Sequence, residues 1–149
     1  MFYSVVFVAL VLAGAFLPVQ GAVNAQLAQG LGHPLSAAVF SAIVTTVGLL
    51  IILAIVRPPI PAMARLAEIP WWMFLAGGVA GSYALFMFVV GAPILGAGVL
   101  IAALLAGQLV AGVALDHYGA LGLPQHSFGP GRAIGLGLLA AGVIMVRRF

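Results

Sequence analysis

Among the carboxamide side chains of this strongly apolar sequence, Gln20, Asn24 and Gln108 are the candidates for a functional role. Gln20 and Asn24 lie four residues apart, so they share one face of a helix. The other candidate, Gln108, lies in a later apolar stretch. An amide in hydrocarbon is costly unless it has a partner. The amides therefore indicate either interhelical hydrogen bonds or a polar cavity, near mid-membrane, for a neutral or zwitterionic solute.

Residues beside the first two amides favour an irregular helix. Pro18 has no amide hydrogen to bond the carbonyl of Gly14, which typically kinks a helix. We expect a hinge at Pro18 and Gly21. Ser41 and Tyr83, in two other apolar stretches, are further candidates for the same pathway. The alternative for a serine is a hydrogen bond back to its own helix.

One pair of adjacent residues is suited to proton chemistry. Asp116 and His117 lie where an apolar stretch meets the longest polar connection of the chain. Histidine titrates at about pH 6.5, within the physiological range. The pair is either a proton-binding site or a hydrogen-bonded clamp on the loop that follows, and the interfacial position favours the clamp.

Other chemistries find little support in the sequence. The chain has no Cys, and its three His residues lack the spacing of a metal site on one helix. Ser41 has no adjacent base that would make it a nucleophile. The five Arg are scattered and there is no Lys, whereas nucleic-acid binding needs clustered cations. We expect no enzymatic activity, cofactor, metal or nucleic-acid partner.

The composition shows which elements must position these residues. Of 149 residues, 65% are hydrophobic and only 5% are charged, with a formal net charge of +3. The mean hydropathy is +1.33. Soluble domains carry about 25% charged residues, so this chain cannot cover a water-exposed globule. The sequence predicts a protein embedded in a lipid bilayer.

The positions of the charges predict an all-α, polytopic membrane protein with a single domain of five spans. Residues 1–56 and 69–115 contain no charged side chain, and each stretch is long enough for two spans of about 20 residues. We expect breaks at Gly30–Pro34 and at Gly91–Pro93, with the first span the longest. The predicted spans are residues 3–29, 35–56, 70–90, 94–115 and 131–148.

The orientation of these spans is weakly specified. With five spans, Arg57, Arg65 and Arg132 lie on one side of the membrane, and Arg147 and Arg148 on the other. Because loop cations set orientation, this near balance leaves two alternatives. One is a single topology with the N-terminus in the cytoplasm. The other is dual topology, in which oppositely inserted copies pair as an antiparallel homodimer resembling an inverted repeat.

Several short motifs resemble those of the YdcZ-like family in the drug/metabolite transporter superfamily. The resemblance extends over nearly the whole chain and rests on the order of the segments Leu17–Leu27, Ala92–Ala97, Gly107–Leu109, Asp116–Gly122 and Arg132–Gly135. It implies a bacterial inner-membrane transporter of small molecules. It also implies half of a ten-helix fold that is completed by a second copy or by an oppositely oriented homologue.

One departure from related proteins bears on mechanism. Short four-helix exporters of the same superfamily carry a carboxylate in the first helix, whereas residues 3–29 contain neither Asp nor Glu. Proton–cation exchange through such a carboxylate is therefore not expected. Three functions stay open: a secondary transporter working as a dimer by alternating access, a dual-topology channel, and a non-transporting scaffold subunit.

Overall fold

The computed structural model describes residues 2–149, apart from the side chains of Phe2 and Ala64. Within this range there is no strand. The chain forms five α-helices, with a short 3-10 turn at Ala120–Gly122 before the last one. The helices are α1 (Phe2–Leu31), α2 (Pro34–Val56), α3 (Met63–Glu68), α4 (Trp71–Tyr118) and α5 (Pro130–Arg148).

Four of these helices are long and apolar enough to cross a membrane. They are α1, α2, α4 and α5, of 30, 23, 48 and 19 residues. A helix rises about 1.5 Å per residue, so about 20 residues cross a hydrocarbon core of about 30 Å. The predicted all-α architecture of membrane-length helices is confirmed.

The turn between α1 and α2 lies where the sequence predicts a break. Gly32 has a φ of +78°, in the left-handed region that favours glycine. His33 then caps α2, because its Nδ1 accepts a hydrogen bond of 3.1 Å from the backbone amide of Leu35. Pro34 occupies the first helical position, where a missing amide hydrogen costs nothing.

The interruption of α4 differs from the predicted one. The backbone is helical through Gly91–Pro93, and the residue that leaves the helical conformation is Gly96, with φ 74° and ψ 162°. The predicted boundary between residues 90 and 94 is therefore wrong. A proline inside a helix removes one hydrogen bond but keeps a helical φ, whereas the conformation of Gly96 is essentially restricted to glycine.

The helices form two packed units. The α2 unit is Val19–Ile94, and the α5 unit combines the chain up to Pro18 with Leu95–Phe149. Helices α1 and α4 contribute residues to both units, and a single domain stays a prediction. The core of the α2 unit is built from small side chains: Ala37, Ala38 and Val89 are buried, with Ala28 and Leu85 packed against them.

Candidate functional site

Asn24 is the one buried polar residue in the part of the chain that the structure describes, with 5% of its surface exposed. Its Nδ2 donates a hydrogen bond to Oγ of Ser41, 3.2 Å away. Asn24 lies seven residues before the end of α1 at Leu31, and Ser41 lies seven residues after the start of α2 at Pro34. The tight turn thus places the two residues at the same level of a helical hairpin.

The face of α1 that carries Asn24 is packed against its surroundings. Gly21, Asn24 and Ala28 are spaced as neighbours on one face of a helix. Gly21 is buried, and a Cβ at this position would lie 3.0 Å from Cε1 and from Cζ of the Phe88 ring. The absence of a side chain at Gly21 therefore lets the ring approach α1 one turn away from Asn24.

Ser41 lies at the edge of the core. Ala37 and Ala38, one turn earlier on α2, are buried, whereas Ser41 is partly exposed. The Ser41 carbonyl accepts a hydrogen bond of 2.9 Å from the Thr45 hydroxyl, so Thr45 bonds back to its own helix. The Ser41 hydroxyl instead pairs with the amide of another helix.

Two other predicted pathway residues of the α2 unit lie outside this contact. Gln20 is partly exposed, and Tyr83 is 69% exposed. Among the described residues, neither side chain makes a hydrogen bond. Ser82, next to Tyr83, bonds back to the carbonyl of Gly78 at 2.8 Å. Of the predicted residues, the structure therefore joins Asn24 and Ser41 directly and leaves Gln20 and Tyr83 on the surface of the unit.

The remaining predicted residues of the membrane segments belong to the α5 unit or to its boundary. Gln108 lies in the part of α4 that follows Gly96, and its side chain is exposed. A cavity shared by Gln108 and Asn24 stays a prediction. Pro18 lies inside a continuous α1, and the division between the units falls directly after it. A bend at Pro18 likewise stays a prediction.

A second polar centre joins the end of α4 to the start of α5. Asp116 Oδ2 lies 3.2 Å from Nη2 of Arg132, and both side chains are about one-third exposed. The Asp116 carbonyl accepts a hydrogen bond of 2.8 Å from the backbone amide of His126. Nδ1 of His117 accepts one of 3.1 Å from the amide of Phe128. These contacts fold the loop back onto the last turn of α4.

The ion pair also compensates for the unfavourable positions of its two charges at the helix ends. Asp116 is an acid in the last turns of α4, and Arg132 is a base in the first turn of α5. Each charge therefore lies at the helix end whose dipole repels it. Placing the two charges side by side gives each a counter-charge, so the pair favours the observed packing of α5 beside the end of α4.

Three residues that matter here were not predicted from the sequence. Phe88 is one apolar residue among many, and its sequence neighbourhood does not predict the contact with Gly21. Gln125 donates a hydrogen bond of 3.0 Å to the carbonyl of His117, a contact set by the loop conformation. Arg132 could have been found, because a lone acid and a lone base flank the same connection.

The described residues contain no cluster of three or more His, Asp or Glu side chains able to hold a metal ion. The two polar centres consist of the hydrogen bonds and the ion pair described above. Groups of these kinds can bind a solute or position the helices that carry them. An interhelical amide–hydroxyl pair can exchange its mutual hydrogen bond for bonds to a bound solute.

Membrane-length apolar helices, with a single buried amide between two of them, define a multi-pass α-helical membrane protein. A family model described as "Putative inner membrane exporter, YdcZ" matches residues 5–145. The chain belongs to this family, as its sequence motifs indicate. The family is described as one of exporters and not as a class of enzymes. Among curated proteins and solved structures, none matches the chain.

Proposed function

We propose that the protein is a secondary transporter of a small neutral or zwitterionic solute, binding it at the Asn24–Ser41 pair. The observation that carries this proposal is the hydrogen bond between the one buried amide of the described chain and a hydroxyl on the next helix. Membership of a family of inner-membrane exporters supports transport, and the setting would be a bacterial inner membrane. Gln20, Tyr83 and Gln108 would line other parts of the same pathway.

The charge distribution of the α2 unit supports a solute without net charge. Its charged residues are Arg57, Arg65 and Glu68, and all three lie in the connection between α2 and α4. No charged residue lies in the membrane-length helices of this unit. A solute with a net charge at Asn24 would be removed from water without a counter-charge, which is strongly unfavourable. Amide and hydroxyl groups instead suit hydrogen-bonding groups on the solute.

The length of α4 supports five crossings. Its segments 71–95 and 97–118 contain 25 and 22 residues, and each is long enough for one span. A break at Gly96 would allow α4 to cross twice. An odd number of crossings places the two ends of the chain on opposite sides. Two oppositely inserted copies would then form an inverted pair suited to alternating access, with the solute pathway between or beside the two α1 helices.

Reporter fusions at the C-terminus test the assembly separately from transport. An antiparallel homodimer requires that the C-terminus be detected on both sides of the membrane. Detection on one side only would exclude that homodimer, and pairing with an oppositely oriented homologue would be the surviving form. The test uses the full chain and does not depend on the identity of the solute.

Flux measurements in proteoliposomes test the transport proposal against a channel and a scaffold. A thermal-shift screen of neutral and zwitterionic solutes first selects a probe that stabilises the purified protein. A transporter gives saturable uptake that is accelerated by unlabelled probe on the opposite side. A channel gives flux without that acceleration, and a scaffold gives neither. Asn24→Ala should abolish the uptake, whereas Gln26→Ala, at an exposed position of the same helix, serves as the matched control.

A further inference from the structure

The connection between α4 and α5 exposes large apolar side chains although it is a loop. Leu121 is 72% exposed, and Tyr118, Leu123 and Phe128 are exposed as well. Between His117 and Gly131 the sequence contains no Asp, Glu, Lys or Arg. An ordinary water-exposed loop is polar, so this composition requires an explanation.

The exposed side chains are held on a folded loop. Gln125 bonds the carbonyl of His117, and the amide of Phe128 bonds the His117 ring. Arg132 contacts the Asp116 carboxylate and also donates a hydrogen bond of 3.3 Å to the His126 carbonyl. The Gln125 side chain, the Phe128 amide and the His126 carbonyl are thus used in contacts with the end of α4 and the start of α5, while the apolar side chains stay uncovered.

The backbone at Leu121 is strained. Leu121 has φ 57° and ψ 25°, a left-handed conformation that a leucine adopts only where its surroundings hold it. It is followed by Gly122 and preceded by Gly119, which both have positive φ. The loop therefore keeps its most exposed leucine in place at a cost in free energy.

We propose that the loop of residues 119–128 is an interfacial anchor that inserts Leu121, Leu123 and Phe128 between lipid headgroups and acyl chains. The loop joins two membrane-length helices, α4 and α5, so it lies at the level where they leave the hydrocarbon. Lipid is present at that level around any such protein, and apolar and aromatic side chains are favoured there. Apolar faces of interfacial segments typically lie about 5–10 Å below the membrane surface.

The ion pair between Asp116 and Arg132 acts as the latch of this anchor. It closes the loop at its two ends, and the His126 carbonyl is bonded to the same guanidinium. When the latch is broken, the loop loses the contact that ties the end of α4 to the start of α5. The inserted side chains would then leave the lipid and the loop would become more exposed to water.

Single-cysteine labelling tests the anchor directly, because the chain contains no native Cys. Leu121→Cys and Phe128→Cys would each be labelled with an environment-sensitive nitrobenzoxadiazole probe. The full-length protein would be reconstituted in phosphatidylcholine–phosphatidylglycerol vesicles. Ser127→Cys, an exposed polar position of the same loop, is the matched control. Lipids with a nitroxide near the headgroup should quench the labels at 121 and 128 several-fold more strongly than the label at 127.

Two results would overturn the anchor. One is a label at 121 that is quenched by iodide in the water phase and not by nitroxide lipids. The other is a label protected from both quenchers, which would place a second copy of the protein on the loop in place of lipid.

Asp116→Asn combined with Leu121→Cys tests the latch. Quenching of the label at 121 by nitroxide lipids should fall several-fold, and unchanged quenching would contradict the role of the ion pair. None of these readouts depends on the transported solute.

Discussion

Asn24 and Ser41 are joined by a hydrogen bond of 3.2 Å that links α1 to α2 at the edge of a core of alanine and valine. Both residues lie seven positions from the turn between the helices. The bond satisfies the amide in the absence of a solute, and the partly exposed serine keeps the pair accessible. This geometry makes the pair a candidate both for helix packing and for solute binding. A mutation would mainly lower stability in the first case and mainly reduce transport in the second.

Removing either partner should affect transport more than stability. Interhelical hydrogen bonds in membranes contribute about 0.6–2 kcal/mol, so Asn24→Ala and Ser41→Ala should still assemble. We expect a stability coupling within that range in a double-mutant cycle, measured by unfolding in detergent, and a loss of flux in both variants. Thr46→Ala is the control, because the Thr46 hydroxyl bonds back to the Ala42 carbonyl of its own helix. Normal flux in both alanine variants would leave the pair a packing contact only.

Filling the space at Gly21 should disrupt the α2 unit. A Cβ at Gly21 would already approach the buried Phe88 ring to 3.0 Å, so Gly21→Leu forces α1 and α4 apart. Overpacking of this kind typically costs about 1–3 kcal/mol. A Cβ at Gly30 on the same helix would have no other atom within 4 Å, so Gly30→Leu should have little effect. The thermal midpoints of the two variants in detergent provide the comparison, and equal midpoints would argue against the Gly21–Phe88 contact.

Two glycines of α4 should respond to alanine in opposite directions. Gly96 has a φ of +74°, and an L-residue there would carry a backbone strain of about 1–3 kcal/mol. Gly96→Ala should therefore lower the thermal midpoint. A Cβ at Gly98 would lie 3.8 Å from Cγ1 of Val146, an ordinary contact, so Gly98→Ala should be neutral or stabilising by up to about 1 kcal/mol. A more stable Gly96→Ala would mean that α4 is not broken at this residue.

Exchanging the charges of Asp116 and Arg132 distinguishes the contribution of the ion pair to stability from the contribution of the helix dipoles. Each single neutralisation, Asp116→Asn or Arg132→Gln, should lower stability by about 0–1 kcal/mol, since the pair is about one-third exposed. The exchanged variant, Asp116→Arg with Arg132→Asp, keeps the pair. It also places each charge at the helix end that favours it, by about 0.3–1 kcal/mol. It should be more stable than both single variants, and lower stability would show that other loop contacts dominate.

Much of the fold could be predicted because lipid imposes simple rules on sequence. Long charge-free stretches predict the helices, and Gly32 with Pro34 predicts the turn between α1 and α2. The break in α4 could not be located in this way. Pro93 carries the stronger sequence signal, yet a helix accommodates an internal proline, and only the backbone geometry distinguishes Gly96 from the other glycines of α4.

The candidate site could be predicted only in part from the sequence. Residues 20–29 contain four amides, Gln20, Asn24, Gln26 and Gln29, and the sequence alone does not distinguish the buried one. Which of them is buried depends on how the helix is rotated against α2 and α4. That rotation is set by Gly21 and Ala28, whose small size permits close approach on the face of Asn24. Apolar residues and further amides surround Asn24 on several sides of the helix, so the sequence carries little signal for the rotation.

Exchange of a labelled solute across proteoliposome membranes tests the central claim, transport through the Asn24–Ser41 pair. Liposomes containing the native chain, Asn24→Ala or Gln26→Ala would be loaded with an unlabelled neutral or zwitterionic solute selected by thermal shift. Uptake of the same labelled solute would then be followed. We expect the internal solute to accelerate uptake by the native chain and by Gln26→Ala, and not by Asn24→Ala. Equal uptake with and without internal solute, or full exchange by Asn24→Ala, would contradict the claim.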